Sequence, residues 1–308
     1  VNFEPDDNQA AILDGLEQLI TTQKIEPPKH ATFVAFSETL DAELAASGFL
    51  DIAREDGFSP LDAALIVERI ARLPLCAEVA TSALVGPLFP IDALQRPLAV
   101  LRGSPLGSAR FLPHARSLIV VEDENVSLIS LIPDRVVPVE SLFAYPYGRL
   151  ESADGLAVQR FGRDMVAPVL RRWRLSIAVE AAGLMQAALD TVLEHVKTRK
   201  QFGRALGSFQ AVQHRLATAA STANATKWLA LRAAWSDDEA ICAMAATYAQ
   251  DAIPLFTYDL HQFCGAMGLT LEFPLHLWTY RLKALLGELG GSGGQARAAA
   301  ELSWADAA

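Results

Sequence analysis

The sequence predicts a mainly α-helical protein with a small β domain in its middle, and three observations carry that expectation. Apolar residues recur every three or four positions through the first quarter, and again through almost the whole second half. Between these stretches the composition turns to short valine-rich runs broken by proline. The 308 residues are 51% hydrophobic and 20% charged, with many alanines in the helical stretches, which suits helices buried on more than one side. The expected order is an N-terminal helical domain over 1–88, a short β-barrel-like domain over 89–152 and a C-terminal antiparallel four-helix bundle over 153–308.

The elements follow in chain order. Ile12, Leu16 and Ile20 give helical spacing to 8–20; Phe36 to Ser47 reads as a second helix stopped by Gly48. Pro60 suits the first turn of a third, which runs through Ala64, Val67, Ile70 and Ala71. After Gly86, residues 98–101, 117–121, 126–131 and 135–139 read as strands of a four- or five-stranded unit, with a hairpin turn at Glu122-Asp123-Glu124-Asn125. From Arg163 the pattern is helical again. Val166, Leu170, Trp173, Ile177, Ala181, Leu184, Ala188 and Val192 form one buried face. A second bundle helix runs from Ser208 to Trp235. A third starts at Asp237-Asp238 and is kinked at Pro254. A fourth starts at Pro274 and ends at Gly290-Gly291. Gly-Gly-Ser-Gly-Gly at 290–294 reads as a flexible joint before a short alanine-rich tail.

Composition excludes several functions. A net charge of −10 argues against nucleic-acid binding, although a few arginines in one cleft suffice for a phosphorylated ligand. Neither the six histidines nor Cys76, Cys242 and Cys264 show metal or redox spacing; three buried thiols and a reducing compartment are expected. His195, His214, His261 and His276 are read as structural. The acidic stretch Val1 to Asp7 is unlike a signal peptide, and no run reaches the roughly 18 apolar residues of a membrane span, so a cytoplasmic location is expected.

One segment carries chemistry. Arg199-Lys200-Gln201-Phe202-Gly203 lies between two bundle helices, with Gln210 seven residues on and Val212-Gln213-His214-x-Leu216-Ala217 beyond it. The guanidinium presents a fork of donors to a phosphate, Phe202 offers a face to a flat ring, and Gly203 permits close backbone approach. Basic residues offsetting a helix C-terminus are the plainer reading of the arginine alone. The whole string resembles the turn in acyl-CoA dehydrogenases that reaches across a subunit interface to the FAD diphosphate. Gln262-x-x-Gly265-Ala266-x-Gly268 resembles a second segment of that family, with Ala266 replacing a glycine. Ser47 to Ile52 and Val67 to Ala71 are fainter echoes in the first domain. The resemblance implies FAD bound through Arg199, Gln201, Phe202, Gln210, Gln262 and Gly265, an acyl-CoA substrate, and electron-transfer flavoprotein as acceptor.

The same resemblance exposes absences. α,β-Dehydrogenation needs a carboxylate to take the α-proton. At one of the two family positions for it, ten residues before Gly183-Leu184-Met185-Gln186, stands Trp173; at the other stands Leu289, before Gly290-Gly291. Glu288 and Glu180 are nearby, each expected as a solvated helix-face carboxylate. Gly103 to Ser108 is a weak match to the flavin-facing loop of the middle domain. Arg171-Arg172-x-Arg174 is expected as a charged helix edge, with CoA phosphates as the alternative. No catalytic residue is assigned. The pattern resembles the shortened partner in bacterial α2β2 acyl-CoA dehydrogenases of steroid catabolism, which pair with a full-length catalytic subunit. A self-sufficient homo-oligomer with a displaced base, and a helical scaffold that lost its FAD, are the alternatives.

Overall fold

A computed structural model describes residues 4–28 and 32–304. The reading of Val1, Asn2 and Phe3 lies outside them. Asp6 opens α1 (Asp7–Thr22) with a reciprocal cap: its carboxylate accepts the Gln9 N–H, and the Gln9 side chain accepts the Asp6 N–H. Ser37 caps α2 (Glu38–Ala46), and Gly48 follows it with φ +78°. Ser59 and Pro60 start α3 (Pro60–Ala71), and the short α4 (Ala80–Leu84) leads into the sheets.

The β region has more strands than the sequence predicts. β1 (Leu98–Arg102) runs parallel to β3 (Ser117–Val121), which pairs antiparallel with β4 (Val126–Ser130) across the expected turn at 122–125. β4 in turn pairs with β7 (Val158–Phe161), which continues the sheet past residue 152. A second sheet has the order β2 (Ser108–Arg110), β6 (Tyr147–Leu150), β5 (Val136–Val139). Ser-Ala-Arg, Tyr-Gly-Arg-Leu and Val-Gln-Arg-Phe lack an apolar run, so their pairing comes from neighbours rather than from strand propensity.

α5 (Val166–Thr198) is the axis of the molecule and packs against α3, α4, α6, α7 and α8. It corrects one expectation. Arg163–Thr198 is long and apolar enough to cross a membrane by length and composition, with a mean hydropathy of 1.3, yet 83% of that window is buried inside the fold. Every residue from Trp173 to Met185 is buried, which is why the hydropathy is high. α6 (Gln210–Ser236), α7 (Glu239–Cys264) and α8 (His276–Leu285) complete the bundle; Asp238 caps α7 through the Ile241 N–H, and Pro254 lies inside it.

The flexible joint expected at 290–294 is instead the start of α9 (Gly291–Trp304), which packs on α7. The glycines serve close approach: a Cβ on Gly294 would lie 2.8 Å from the Leu289 carbonyl oxygen. Gln295, buried just after them, anchors the helix by donating to that same carbonyl at 3.1 Å.

Two buried acids join the N-terminal helices to β1. Glu78 accepts from the Thr81, Ser82 and Leu98 N–H groups, and its own N–H donates to Asp41 at 2.9 Å. Burial, then the charge of Glu78, pushes the Asp41 carboxyl up to about 7. The folded state therefore holds a proton that the unfolded chain releases, and this contribution is complete below about pH 4 and lost as pH rises through about 7. Asp41→Asn keeps the acceptor and removes the titration. Between pH 4 and 8 the wild type is expected to lose on the order of 3 kcal/mol relative to this variant, as read from urea midpoints.

Candidate functional site

Two concave sites flank the C-terminal end of α7. The smaller is a groove of about 440 Å³ lined by His195, Arg199, Gln201, Gln262, Gly265 and Ala266, among others. Of the six residues expected to hold a cofactor, Arg199, Gln201, Gln262 and Gly265 meet here. Gly265 ends α7 at φ +58°, ψ −141°, a conformation open to glycine, with nothing within 4 Å of an added Cβ. Phe202 and Gln210 are not among the residues lining the groove. Gln210 is exposed at the first position of α6.

Phe202 sits at the tip of a two-stranded ribbon, β8 (Lys200–Gln201) and β9 (Arg204–Ala205). The tip needs two successive left-handed residues, and Phe202 and Gly203 supply them at φ +53° and +80°. A phenylalanine in that conformation is strained, and this one is 88% exposed. Its ring meets that of Phe209 edge-on, with 6.2 Å between centroids.

The larger site is a cleft of about 1470 Å³ between the β region and the bundle. Arg110, at the end of β2, forms its floor and is 8% exposed. Its Nη1 donates to Glu180 Oε2 at 2.6 Å, and its Nε lies 2.5 Å from Glu288 Oε1. The Tyr145 hydroxyl donates to the other oxygen of Glu180 at 2.6 Å, and Trp173 Nε1 donates to the other oxygen of Glu288 at 2.7 Å. Burial works against the charge on Arg110, but Glu180 and then Glu288 more than offset it and hold its pKa well above the ordinary value. Burial, reinforced by Glu180, likewise holds the Tyr145 hydroxyl protonated. The Glu288 segment is fixed from behind. Gln250 donates to the Leu285 carbonyl at 2.6 Å and to the Glu288 carbonyl at 3.0 Å, while Leu289, Gly290 and Gly291 turn the chain with φ of +51°, +84° and +65°.

Residues 161–301 match the family Acyl-CoA dehydrogenase, C-terminal domain. The C-terminal part of the chain thus carries an acyl-CoA dehydrogenase C-terminal domain. Acyl-CoA dehydrogenase FadE34 of Mycobacterium tuberculosis is 35% identical over 210 residues, 63% of this chain. That match spans only 27% of FadE34. The mitochondrial short-chain specific acyl-CoA dehydrogenase of Bos taurus is 32% identical over 149 residues, 47% of this chain and 33% of that protein. The fold is shared along nearly the whole chain. The ChsE4-ChsE5 complex from Mycobacterium tuberculosis superposes with a TM-score of 0.79 at 20% identity, covering 98% of this chain and 99% of that one. Butyryl-CoA dehydrogenase from Megasphaera elsdenii gives 0.72 at 18% identity, covering 97% and 99%.

Trp173 and Leu289, which the sequence resemblance sets at the two family base positions, both line the cleft. The expectation of solvated carboxylates at Glu180 and Glu288 is corrected: Glu180 is buried and Glu288 is 14% exposed. Glu180 lies in the stretch of α5 that is covered on all sides, so no position there faces water. One oxygen of Glu288 faces Arg110 and the other accepts from Trp173, so the carboxylate is held in place by both. The arginine run is also redirected. Arg171 and Arg172 pair with Asp237 at 3.1 and 3.0 Å, and Arg174 donates to Gln295 at 3.0 Å. Gly103 to Gly107 connects β1 to β2, whose first residue, Ser108, lines the cleft.

Arg110 is the residue that sequence reasoning missed. A single arginine after Ser-Ala carries no motif, and its partners lie on α5 and beyond α8. Two histidines of the bundle make hydrogen bonds within the fold. His261 bonds the Gly268 carbonyl and the Thr279 hydroxyl, and His276 bonds the Phe273 and Thr32 carbonyls. Cys76, Cys242 and Cys264 are free and buried, each thiol pushed up to about 12 mainly by burial. Among the described residues no cluster of His, Cys, Asp or Glu is placed to hold a metal.

Proposed function

We propose that this chain is the base-lacking subunit of a heteromeric acyl-CoA dehydrogenase, and that it contributes FAD contacts to a full-length catalytic partner in an α2β2 assembly. The observation that carries this reading is the contrast between the two sites. The groove has what the ADP part of FAD needs: the Arg199 guanidinium, the Gln201 and Gln262 amides and an unobstructed backbone at Gly265. Phe202 and Gln210, which do not line the groove, would complete the set once a partner covers the ribbon. The cleft has a salt-bridged floor where an acyl-CoA dehydrogenase needs a free carboxylate.

FAD, when bound, accepts the β-hydride of the acyl-CoA thioester, and electron-transfer flavoprotein then takes the electrons. This chain's residues hold the diphosphate end and the partner supplies the α-proton acceptor. The self-sufficient reading is disfavoured because Glu288, its candidate base, is clamped on both oxygens. The scaffold reading is disfavoured because four of the six residues expected to hold the cofactor, from two distant segments, share one groove. The buried thiols support a reducing, cytoplasmic setting.

The test is flavin absorbance with light-scattering mass, on the chain purified alone and co-expressed with the nearest full-length acyl-CoA dehydrogenase. A colourless chain alone and a stoichiometric flavoprotein heteromer together are expected; a fully flavinated homo-oligomer alone overturns the reading. Within the heteromer, Arg199→Ala is expected to weaken FAD retention about tenfold or more, since a charge-assisted hydrogen bond contributes roughly 1.5–3 kcal/mol. Flavin released on gel filtration measures it.

A further inference from the structure

We propose that His261 is a positioning residue for the groove: as its Nδ1–H tautomer it clips the turn after α7 onto α7 and α8, and so fixes the backbone that meets the cofactor diphosphate. This rests on the FAD reading and adds to it a residue that the motifs did not include. The turn (Gly265–Leu269) follows α7 directly. Gly265, Ala266 and Met267 line the groove, whereas Leu269, at the other end of the turn, lines the cleft. Those four residues are exposed and Gly268 is buried, so Gly268 is where the turn meets the body of the fold. The Gly268 carbonyl lies 2.8 Å from His261 Nδ1. A Cβ on Gly268 would sit 2.8 Å from Cys264 Cβ and 3.2 Å from the His261 carbonyl oxygen, so glycine is what permits the approach.

The partners fix which ring nitrogen carries the proton. A carbonyl oxygen only accepts, so Nδ1 is the donor. Nε2 lies 2.9 Å from the hydroxyl of Thr279 on α8, whose other acceptor, the Leu275 carbonyl, is at 3.1 Å. A neutral ring therefore takes the Thr279 proton at Nε2 and gives its own at Nδ1. Burial lowers the pKa of the ring, the Gly268 carbonyl raises it, and Lys283 and His276 lower it; the net direction is down, which favours the neutral form. The backbone of His261 contributes as well. Its carbonyl accepts the Gly265 N–H, where the chain turns at φ +58°. The ring thus ties α7, α8 and the turn together at one point, with His261 itself on the cleft wall and its neighbour Gln262 on the groove wall. A turn held in this way spends less ordering entropy when it binds a ligand.

The experiment uses two substitutions that each keep half of the clip. Counted from Cβ, the amide nitrogen of asparagine stands where Nδ1 does and that of glutamine where Nε2 does. In the heteromer with the full-length partner, His261→Gln is expected to weaken FAD retention on gel filtration about tenfold at unchanged assembly mass, and His261→Asn to stay within about twofold of wild type. Long-range nitrogen–proton NMR spectra of the chain alone at neutral pH are expected to show His261 protonated at Nδ1 only. Equal retention by the two variants, or a ring protonated at Nε2, overturns the proposal. If the glutamine variant does not fold, Thr279→Val, which removes the proton donor to Nε2, is expected to mix the tautomers and weaken retention about threefold. Wild-type retention by that variant then overturns the proposal. A wild-type heteromer without flavin defeats the FAD reading instead. The clip is then decided by amide hydrogen exchange at Leu269 and Thr270: faster in His261→Gln than in His261→Asn if it holds, equal in the two if it does not.

Discussion

Arg110→Met is expected to destabilise the chain by about 3–5 kcal/mol, the range seen when one partner of a buried ion pair is removed. The side chain is nearly isosteric along its stem, so the loss is electrostatic. Glu180 keeps only the Tyr145 hydroxyl and Glu288 only Trp173 Nε1, and two negative charges then face each other across the cleft floor without a counter-charge. Urea unfolding at neutral pH measures the loss. The sign of its pH dependence is the sharper check. Carboxyls stranded in a buried site titrate above their unfolded values, so the variant should regain stability on acidification, where the folded state holds the protons. Adding Glu180→Gln to Arg110→Met should recover roughly 2 kcal/mol, because the network is coupled and the second substitution removes a charge the first exposed. A variant as stable as wild type at pH 7 contradicts the account of the cleft floor.

Gly183→Ala should reverse the usual effect of that substitution. In a helix interior alanine normally stabilises by up to about 1 kcal/mol relative to glycine. Here an added Cβ would sit 2.2 Å from the Glu68 carbonyl oxygen and 2.7 Å from the Ala71 Cβ, both on α3. The carbonyl belongs to rigid helical backbone, so α3 must move away from α5 as a unit. A loss of about 2–4 kcal/mol is expected, in the range of core overpacking and its knock-on shifts. Gly183→Val should leave no soluble folded chain. Thermal melts of the alanine variant decide the matter, and an increase in melting temperature defeats the claim of close helix contact. Gly183 is also the glycine of the Gly-Leu-Met-Gln segment, so its presence follows from the helix crossing that positions Trp173 and Glu180 on α5.

Gly183 also shows what kind of information the chain carries locally. The periodic apolar positions, the cap at Asp238, Pro60 in the first turn of α3 and the stop at Gly48 were all readable, since each depends on residues within one or two turns. The hairpin at 122–125 was readable for the same reason. β2, β6 and β7 were not, because their residues become strands only through pairing partners tens of residues away. The glycine run at 290–294 was misread because local composition describes an unconstrained chain, whereas contact with α7 and the buried Gln295 impose a helix there.

The candidate cofactor residues divide along the same line. The spacing of Arg199, Phe202, Gly203 and Gln210, and of Gln262 and Gly265, was sufficient to point to a family, because motifs of that kind are short. That Arg199, Gln201, Gln262 and Gly265 share one groove, while Phe202 stands apart on a strained ribbon tip, is a tertiary result. By itself the sequence determined the helical architecture, the central β insert and the resemblance of its motifs to a flavoenzyme family. Only the tertiary structure decided that Glu180 and Glu288 are not solvated but bound to Arg110. Burial and charge pairing depend on which distant side chains share a low-dielectric space, and no local pattern encodes that.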